Sequence, residues 1–329
     1  MKKKSSVYIT GHRHPDTDSI ASSIAYAFFK KSMGIPTIPC RLGSLNAETS
    51  YLLDRFGFQA PQLLQDARMK LSEIDMDSPV SITPDTTIYD TLQIMQKTNR
   101  AYCGVVDEQN HLLGMVTKSD ISVVGLDDTA RSIDILAHTS SENIRKTING
   151  TILYDDDQAV INGKVSVIAM TRPERLDHYE VEKRIVIVGA DTMAQKKCIL
   201  LGAGMLIIVW ADSVEDTVIE EARAHHCPII LSGHGTMNTS RYLYFAPSVE
   251  RIMKRNPIYF HTNELAEDVG IKMLRNRYRA YPVVDQNEQL VGYVARYHIM
   301  DAPRRKLILV DHNEFSQSVN AIEKAEVLE

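Results

Sequence analysis

The sequence has few cysteines and no long apolar run. Its 329 residues include four cysteines, none in a CxxC pair, at Cys40, Cys103, Cys198 and Cys227. This spacing argues against a zinc ribbon or a disulfide framework and favours a reducing compartment. No stretch approaches the roughly 18 apolar residues of a membrane span, and no signal-peptide core follows the basic start. We therefore expect a cytoplasmic protein without a membrane partner.

The sequence also has only a small excess of acidic over basic residues. The net charge is −5, and the three lysines at positions 2–4 are typical of a solvated tail rather than a nucleic-acid contact. With 44% hydrophobic and 24% charged residues, the chain can bury a sizeable core. We expect two or more mixed α/β domains and no nucleic-acid partner.

One cluster of candidate metal ligands follows the short apolar run Val7–Ile9. His12, Asp16 and Asp18 lie within seven residues, in a segment that would leave a parallel strand at the carboxyl edge of a sheet. Mixed imidazole and carboxylate ligands suit manganese better than calcium or structural zinc. The same pattern also fits a helix-capping loop, since Asp is an ordinary N-cap residue. Both interpretations stay open from this segment alone.

A second apolar run, Leu307–Val310, ends in another group of polar residues. Asp311, His312 and Asn313 follow it almost 300 residues after the first cluster. We expect the two runs to be strands of one sheet whose ends form two halves of one site.

An internal repeat occupies part of the intervening sequence. The pattern from Arg100 to Val116 recurs from Arg279 to Val294, with the same interval between its Asp and Gly in each copy. A helix with apolar spacing precedes each copy, and a polar turn joins two short strands. The repeat predicts a β-α-β-β-α unit used twice. Between the copies, three short apolar runs predict buried parallel strands of a separate α/β block.

Both copies of the repeat resemble CBS domains, which usually bind adenine nucleotides in the cleft of a pair. The resemblance implies that Thr117 and Asp120 meet ribose hydroxyls. In the second copy the hydroxyl position is Ala295 and the acid position is His298, so Arg296 and His298 are expected to face phosphate instead. The α/β block between the copies resembles the DRTGG domain.

The two strand-end motifs together resemble the DHH phosphoesterase superfamily, and the domain order is similar to that of CBS-containing family II inorganic pyrophosphatases. The implied fold class is α/β: a parallel-sheet DHH domain interrupted by a CBS pair, which is itself interrupted by a DRTGG domain. The expected boundaries are 1–66 and 305–329 for the DHH domain, 67–125 and 248–304 for the CBS domains, and 126–247 for the DRTGG-like domain.

The resemblance also implies roles for single residues. His12, Asp16 and Asp311 would hold one manganese ion, and Asp18 with Asp311 would begin the shell of a second, so that Asp311 bridges. His312 and Asn313 would orient these ligands or lie beside the substrate. Cobalt or magnesium would be substitutes for manganese. The implied reaction is hydrolysis of pyrophosphate to two phosphates, regulated by AMP, ADP or ATP in a homodimer formed through the CBS pair.

The sequence departs from the family in lacking its Asp-His-His motif and its Ser-Arg-Lys-Lys-Gln stretch. We therefore expect a truncated chain that hydrolyses pyrophosphate only at trace levels by itself. Two alternatives remain: a non-catalytic CBS/DRTGG sensor of adenine nucleotides, and a DHH phosphoesterase acting on oligonucleotides or polyphosphate.

Overall fold

The computed structural model describes residues 6–126, 129–168, 176, 178–276, 278–300, 305–310 and 326–328. The chain divides into two compact units. The first comprises Met1–Asp77, Phe260–Val283 and Tyr293–Glu329, and the second comprises Ser78–Tyr259 and Val284–Gly292. Within the described ranges, no helix is both long enough and apolar enough to cross a membrane.

The strands and helices follow in chain order. The strands are β1 Val7–Thr10, β2 Thr37–Arg41, β3 Gln62–Leu63, β4 Ser81–Ile82, β5 Tyr102–Val106, β6 Leu112–Thr117, β7 Thr151–Tyr154, β8 Val165–Ile168, β9 Ile185–Val188, β10 Met205–Ile208, β11 Ile229–Leu231, β12 Lys254–Arg255, β13 Phe260–His261, β14 Tyr281–Val284, β15 Leu290–Val294, β16 Lys306–Val310 and β17 Glu326–Leu328. The helices are α1 Thr17–Ser32, α2 Ala47–Arg55, α3 Ile88–Lys97, α4 Lys118–Leu126, α5 Thr129–Ala137, α6 Ser141–Thr147, α7 Thr192–Leu200, α8 Asp216–Ala224, α9 Thr236–Leu243, α10 Ala266–Arg275 and α11 Arg296–Met300.

The first unit contains a five-stranded sheet in the order β17-β16-β1-β2-β3. All four neighbouring pairs are parallel. Strand β1 therefore lies directly beside β16, with Thr10 paired to Leu309. The prediction that the two distant apolar runs are strands of one parallel sheet is confirmed, and the structure shows in addition that they are direct neighbours. The buried side chains of Ile9 and Ile308 pack with Ala27 of α1.

The first helix shows why this segment folds as it does. Asp16 caps α1 by accepting a hydrogen bond from the Ser19 backbone N–H at 2.8 Å. Asp18 lies in the first turn of α1, near the positive end of the helix dipole, and Lys30 and Lys31 lie in the last turn, near its negative end. Each side-chain charge is therefore opposite in sign to the dipole charge beside it, which stabilises the helix. After the helix ends, Gly34 adopts a φ of 79°, a left-handed conformation that glycine reaches without strain.

Both copies of the repeat contain the β-α-β-β-α order of elements. The first copy runs β4, α3, β5, β6, α4, and its sheet has the order β12-β6-β5-β4. The second runs β13, α10, β14, β15, α11, with a three-stranded sheet in the order β13-β14-β15. In the first copy, Ile88 and Met95 of α3 are fully buried against the sheet. The predicted β-α-β-β-α unit is therefore confirmed twice.

The block between the CBS copies is built on a sheet in the order β7-β11-β10-β9-β8. Strands β8 to β11 are parallel, and β7 joins the edge in the antiparallel direction. Every side chain of β9 and β10 is buried, which confirms the prediction of buried parallel strands. Their near-continuous apolar sequence follows from burial on both faces of the sheet.

Candidate metal centre and nucleotide-binding positions

The ends of β1 and β2 open onto a cleft of about 530 Å³ at the carboxyl edge of the parallel sheet. Open α/β sheets bind ligands at this edge, because loops from neighbouring parallel strands converge there. The cleft is lined by Arg13, His14, Pro15, Asp16, Leu42, Gly43, Ser44 and Asn46. The loop after β1 thus forms one wall, and the loop after β2 forms the other.

His12 and Asp16 come together in this loop. Nε2 of His12 lies 3.4 Å from Oδ1 of Asp16, and the two side chains are 22% and 51% exposed. Two ligand atoms that each lie about 2.1 Å from one divalent ion are roughly 3 to 3.5 Å apart. The imidazole nitrogen and carboxylate oxygen therefore have the spacing and the chemistry of a shared manganese or cobalt ion. The same Oδ1 of Asp16 caps α1, so the capping interpretation of the motif is confirmed, while metal binding by His12 and Asp16 stays a prediction.

Two glycines allow this loop to pack so tightly. A Cβ atom on Gly43 would lie 2.4 Å from the carbonyl oxygen of Arg13, and one on Gly11 would lie 1.8 Å from Oγ of Ser19. Both distances are far inside van der Waals contact, so a side chain at either position would displace the loop that carries His12. The hydroxyl of Ser19 is buried and finds no hydrogen-bond partner within the described ranges.

The starts of α1 and α2 are joined by a hydroxyl pair. Oγ1 of Thr17 lies 2.9 Å from Oγ1 of Thr49. Asn46 caps α2 by accepting from the Thr49 backbone N–H at 2.7 Å. The loop after β2 is therefore fixed at its far end, beside the candidate metal ligands.

The remaining predicted metal ligands are placed only in part. Asp18 lies in the first turn of α1. Asp311, His312 and Asn313 lie outside the described residues. Within the residues that are described, no group of three or more His, Cys, Asp or Glu side chains is arranged to hold a metal ion. The structure brings His12 and Asp16 together and sets β16, which ends one residue before Asp311, beside β1.

The nucleotide-binding candidates of the first CBS copy form a compact hydrogen-bonded motif. Oδ2 of Asp120 accepts from the backbone N–H of Thr117 at 2.9 Å and from its hydroxyl at 2.6 Å. The Thr117 hydroxyl in turn accepts from the Asp120 backbone N–H at 3.2 Å. Nζ of Lys254 lies 3.3 Å from the other carboxylate oxygen of Asp120. These contacts hold both side chains at the start of α4.

The second copy reproduces this motif with different residues. The backbone N–H of Ala295 donates to Nδ1 of His298 at 2.9 Å, so the imidazole occupies the role of the Asp120 carboxylate. Arg296 donates to the carbonyl oxygens of Met273 and Asn276 at 3.0 and 2.9 Å, at the end of α10. Both side chains predicted to face phosphate thus make contacts within their own unit.

Several site contacts were not predicted from the sequence. The Thr17–Thr49 pair and the Lys254–Asp120 ion pair join residues 32 and 134 positions apart, separations at which no local pattern signals a contact. Gly43 carried a weak signal, since glycine beside a strand end often marks a close backbone approach.

Comparison with known proteins confirms the resemblance to the CBS and DRTGG domains. The CBS domain family matches residues 71–125 and 249–305, and the DRTGG domain family matches residues 143–244. The crystal structure of the CBS and DRTGG domains of the regulatory region of Clostridium perfringens pyrophosphatase, complexed with the activator diadenosine tetraphosphate, is 30% identical. The alignment covers 70% of this chain and 100% of that one, with a TM-score of 0.62.

Two curated relatives extend the likeness over the whole chain. A cobalt-dependent inorganic pyrophosphatase of Clostridium perfringens is 37% identical over 329 residues, 99% of this chain and 60% of that protein. A probable manganese-dependent inorganic pyrophosphatase of Thermotoga maritima is 27% identical over 100% of this chain and 60% of its own length. The chain thus spans 60% of the length of these relatives. By its domain order and its likeness to that regulatory region, the chain belongs to the family of inorganic pyrophosphatases that carry CBS and DRTGG domains.

Proposed function

We propose that this chain supplies the first metal site and the nucleotide-binding region of a manganese- or cobalt-dependent enzyme that hydrolyses pyrophosphate to two phosphates. The observation that carries the proposal is the His12–Asp16 pair, 3.4 Å apart at the end of β1. Strand β16, whose sequence runs directly into Asp311, is the parallel neighbour of β1. The metal dependence and the activity are those in the names of the two curated relatives.

In this proposal His12, Asp16 and Asp311 would hold the first ion, and Asp18 with Asp311 would begin the second site. The chemistry that two such ions would supply is an activated water and neutralisation of phosphate charge. The protein orients these ligands: Asp16 is fixed by its hydrogen bond from Ser19, and the loop is held by close packing against Gly43. His312 and Asn313 orient ligands or substrate.

The nucleotide part of the proposal rests on the CBS motifs. Thr117 and Asp120 are held at a helix start, where they would meet ribose hydroxyls, and Arg296 and His298 would serve the phosphates. The related regulatory region binds diadenosine tetraphosphate, which supports an adenine nucleotide as the ligand. We further propose a cytoplasmic homodimer formed through the CBS pair.

The test is phosphate release from pyrophosphate by the complete protein that contains this sequence. We expect hydrolysis with Mn²⁺ or Co²⁺, loss of hydrolysis with EDTA, and a large loss in the Asp16→Asn variant. Asp134→Asn is the matched control, because Asp134 is 74% exposed and lies on α5 in the other unit. Hydrolysis that survives EDTA, or an Asp16→Asn variant as active as the control, would refute the proposal.

A non-catalytic nucleotide sensor is the second candidate, favoured by the intact Thr117–Asp120 motif. Calorimetry with AMP, ADP and ATP separates the two functions. Heat of binding without any hydrolysis by the complete protein supports the sensor, whereas no heat with any of the three nucleotides removes it.

A further inference from the structure

Arg305 makes a concentrated set of contacts immediately before β16. Its Nη2 donates to both carboxylate oxygens of Glu73, at 2.7 and 2.6 Å, and its Nη1 donates to the backbone carbonyl of Asp66 at 2.7 Å. The guanidinium carbon lies 5.1 Å from the centre of the Tyr8 ring. The side chain is 13% exposed, and that of Glu73 is 28% exposed.

These contacts join Arg305 to two regions that are far from it in sequence, β1 and residues 66–73. Tyr8 belongs to β1, Asp66 belongs to the segment that leaves the parallel sheet, and Glu73 closes the short 3-10 helix Leu71–Glu73. The CBS family matches begin at residue 71 and end at residue 305. Arg305, at one end of the block inserted between β3 and β16, therefore contacts residues at the other end of that block.

The 3-10 helix is itself bonded to the second CBS copy. The backbone N–H groups of Leu71 and Ser72 donate to the carbonyls of Glu264 and Thr262, both at 2.9 Å. Glu73 also accepts from the Lys70 backbone N–H at 2.8 Å. The Glu73 carboxylate thus accepts from Lys70 and from Arg305, while the backbone of the same short helix is bonded to the second CBS copy.

The neighbouring residues fix the Asp66 segment. Arg68 donates to the Asp66 carboxylate at 2.7 Å and to Asp268 of α10 at 3.0 Å. The hydrogen bonds from Arg68 lower the pKa of Asp66, so this carboxylate stays charged near neutral pH. Arg305 reaches the carbonyl rather than the carboxylate of Asp66, and its guanidinium fork is needed to reach Glu73 and Asp66 together.

The guanidinium also carries one unused donor. Its Nε is buried and has no hydrogen-bond partner within the described ranges. A buried donor without a partner lowers the free energy of unfolding, so the other contacts of Arg305 have to offset this cost. Such a cost is consistent with a role for Arg305 beyond stabilising the fold.

We propose that Arg305 is a positioning residue that fixes the start of β16 against β1 and against the 3-10 helix of the CBS region. The Arg305 side chain thus connects β16, which leads to Asp311, with the 3-10 helix that is bonded to the second CBS copy. The functional part of this inference rests on the proposed metal centre.

The test compares the 329-residue chain with its Arg305→Gln, Arg305→Lys and Glu73→Gln variants and the Arg305→Gln/Glu73→Gln double variant. Two readouts are taken: backbone hydrogen exchange in β1 and β16, and Mn²⁺ affinity from the electron paramagnetic resonance signal of free Mn²⁺. Arg145→Gln is the matched control, because Arg145 makes a bidentate pair with Glu142, with both distances 2.7 Å, on the exposed face of α6. Glu73→Gln covers the case in which the arginine variants fail to fold.

We expect both single Gln variants to exchange faster in β16 and to bind Mn²⁺ about 2- to 30-fold more weakly, the range of residues that couple two sites. Arg305→Lys should be impaired too, since lysine cannot bridge Glu73 and Asp66. The double variant should lose no more than the larger single loss, because the two residues share one interaction. The control should match the unchanged chain.

Two results would overturn the inference. Unchanged exchange in β16 would show that Arg305 is no anchor, whether or not Mn²⁺ binds. Faster exchange with unchanged Mn²⁺ affinity would leave Arg305 a purely structural residue. If the unchanged chain binds no Mn²⁺, the proposed metal centre fails by itself, and the exchange data alone decide whether Arg305 fixes β16.

Discussion

The backbone N–H of Ala295 donates to Nδ1 of His298 over 2.9 Å, the same distance that separates the equivalent N–H and acceptor atom in the first CBS copy. The acceptor there is a carboxylate, and here it is an unprotonated ring nitrogen. An imidazole and a carboxylate thus perform the same local task at the start of two short helices. Nε2 of His298 then lies 3.7 Å from Oδ1 of Asp77.

Replacing His298 tests this equivalence. We expect His298→Asn to keep the free energy of unfolding nearly unchanged, because its side-chain oxygen can accept from the Ala295 N–H without placing a second carboxylate beside Asp77. His298→Leu should lose about 1 kcal/mol, the typical contribution of the hydrogen bond that it removes. Urea unfolding monitored by circular dichroism measures both changes. Equal losses in the two variants would show that the hydrogen bond to Ala295 does not explain why histidine occupies position 298.

Asp156 should make stability depend on acid pH. Hydrogen bonds from the Tyr154 hydroxyl, the Gln158 backbone and His226 lower the pKa of Asp156 to about 2. A carboxyl whose pKa is lowered on folding stabilises the protein above its unfolded pKa, near 4, and this contribution disappears as pH falls toward 2. Between pH 5 and 3 the melting temperature should therefore fall less steeply in Asp156→Asn than in the unchanged chain. Identical slopes would contradict the assignment.

Gly43 should not tolerate replacement by a residue with a side chain. A Cβ at Gly43 would clash with the Arg13 carbonyl at 2.4 Å, whereas a Cβ at Gly189 would meet nothing within 4 Å. We expect Gly43→Ala to cost about 1–3 kcal/mol, as for other overpacked sites, and to weaken Mn²⁺ binding. Gly189→Ala is the matched control and should be nearly neutral in both measurements. Similar behaviour of the two variants would mean that the loop adjusts freely.

The cysteines should be unreactive in the folded protein. All four are buried, and burial raises the pKa of Cys40 to about 11 and that of Cys227 to about 12. The thiolate, which is the reactive species, is therefore scarce at pH 8. Ellman's reagent should label the native chain slowly and reach four equivalents only after unfolding. Rapid labelling of one thiol before unfolding would contradict its burial.

Much of the fold was predictable because it rests on local patterns. The apolar runs Val7–Ile9 and Leu307–Val310 predicted strands, and both are strands of the same parallel sheet. The repeat from Arg100 and Arg279 predicted two CBS units, because each copy carries its own helix period and hairpin turn.

The candidate site was less predictable, because the Asp16 pattern fits two roles. A carboxylate after a strand can cap a helix or bind a metal, and here Asp16 caps α1 and also lies beside His12. Arg305 contacts residues more than 200 positions away in sequence, so no local sequence pattern predicted these contacts. His298 was predicted to face phosphate, but the acceptor role of its Nδ1 required the backbone geometry of α11.

The central claim is that His12 and Asp16 are ligands of one manganese ion, and a Mn²⁺ titration of the 329-residue chain followed by electron paramagnetic resonance tests it most directly. We predict saturable binding that weakens by more than about tenfold in His12→Gln. His138→Gln should leave binding unchanged, because His138 is 56% exposed at the end of α5. Equal affinity in the two variants, or no saturable binding to the unchanged chain, would contradict the account.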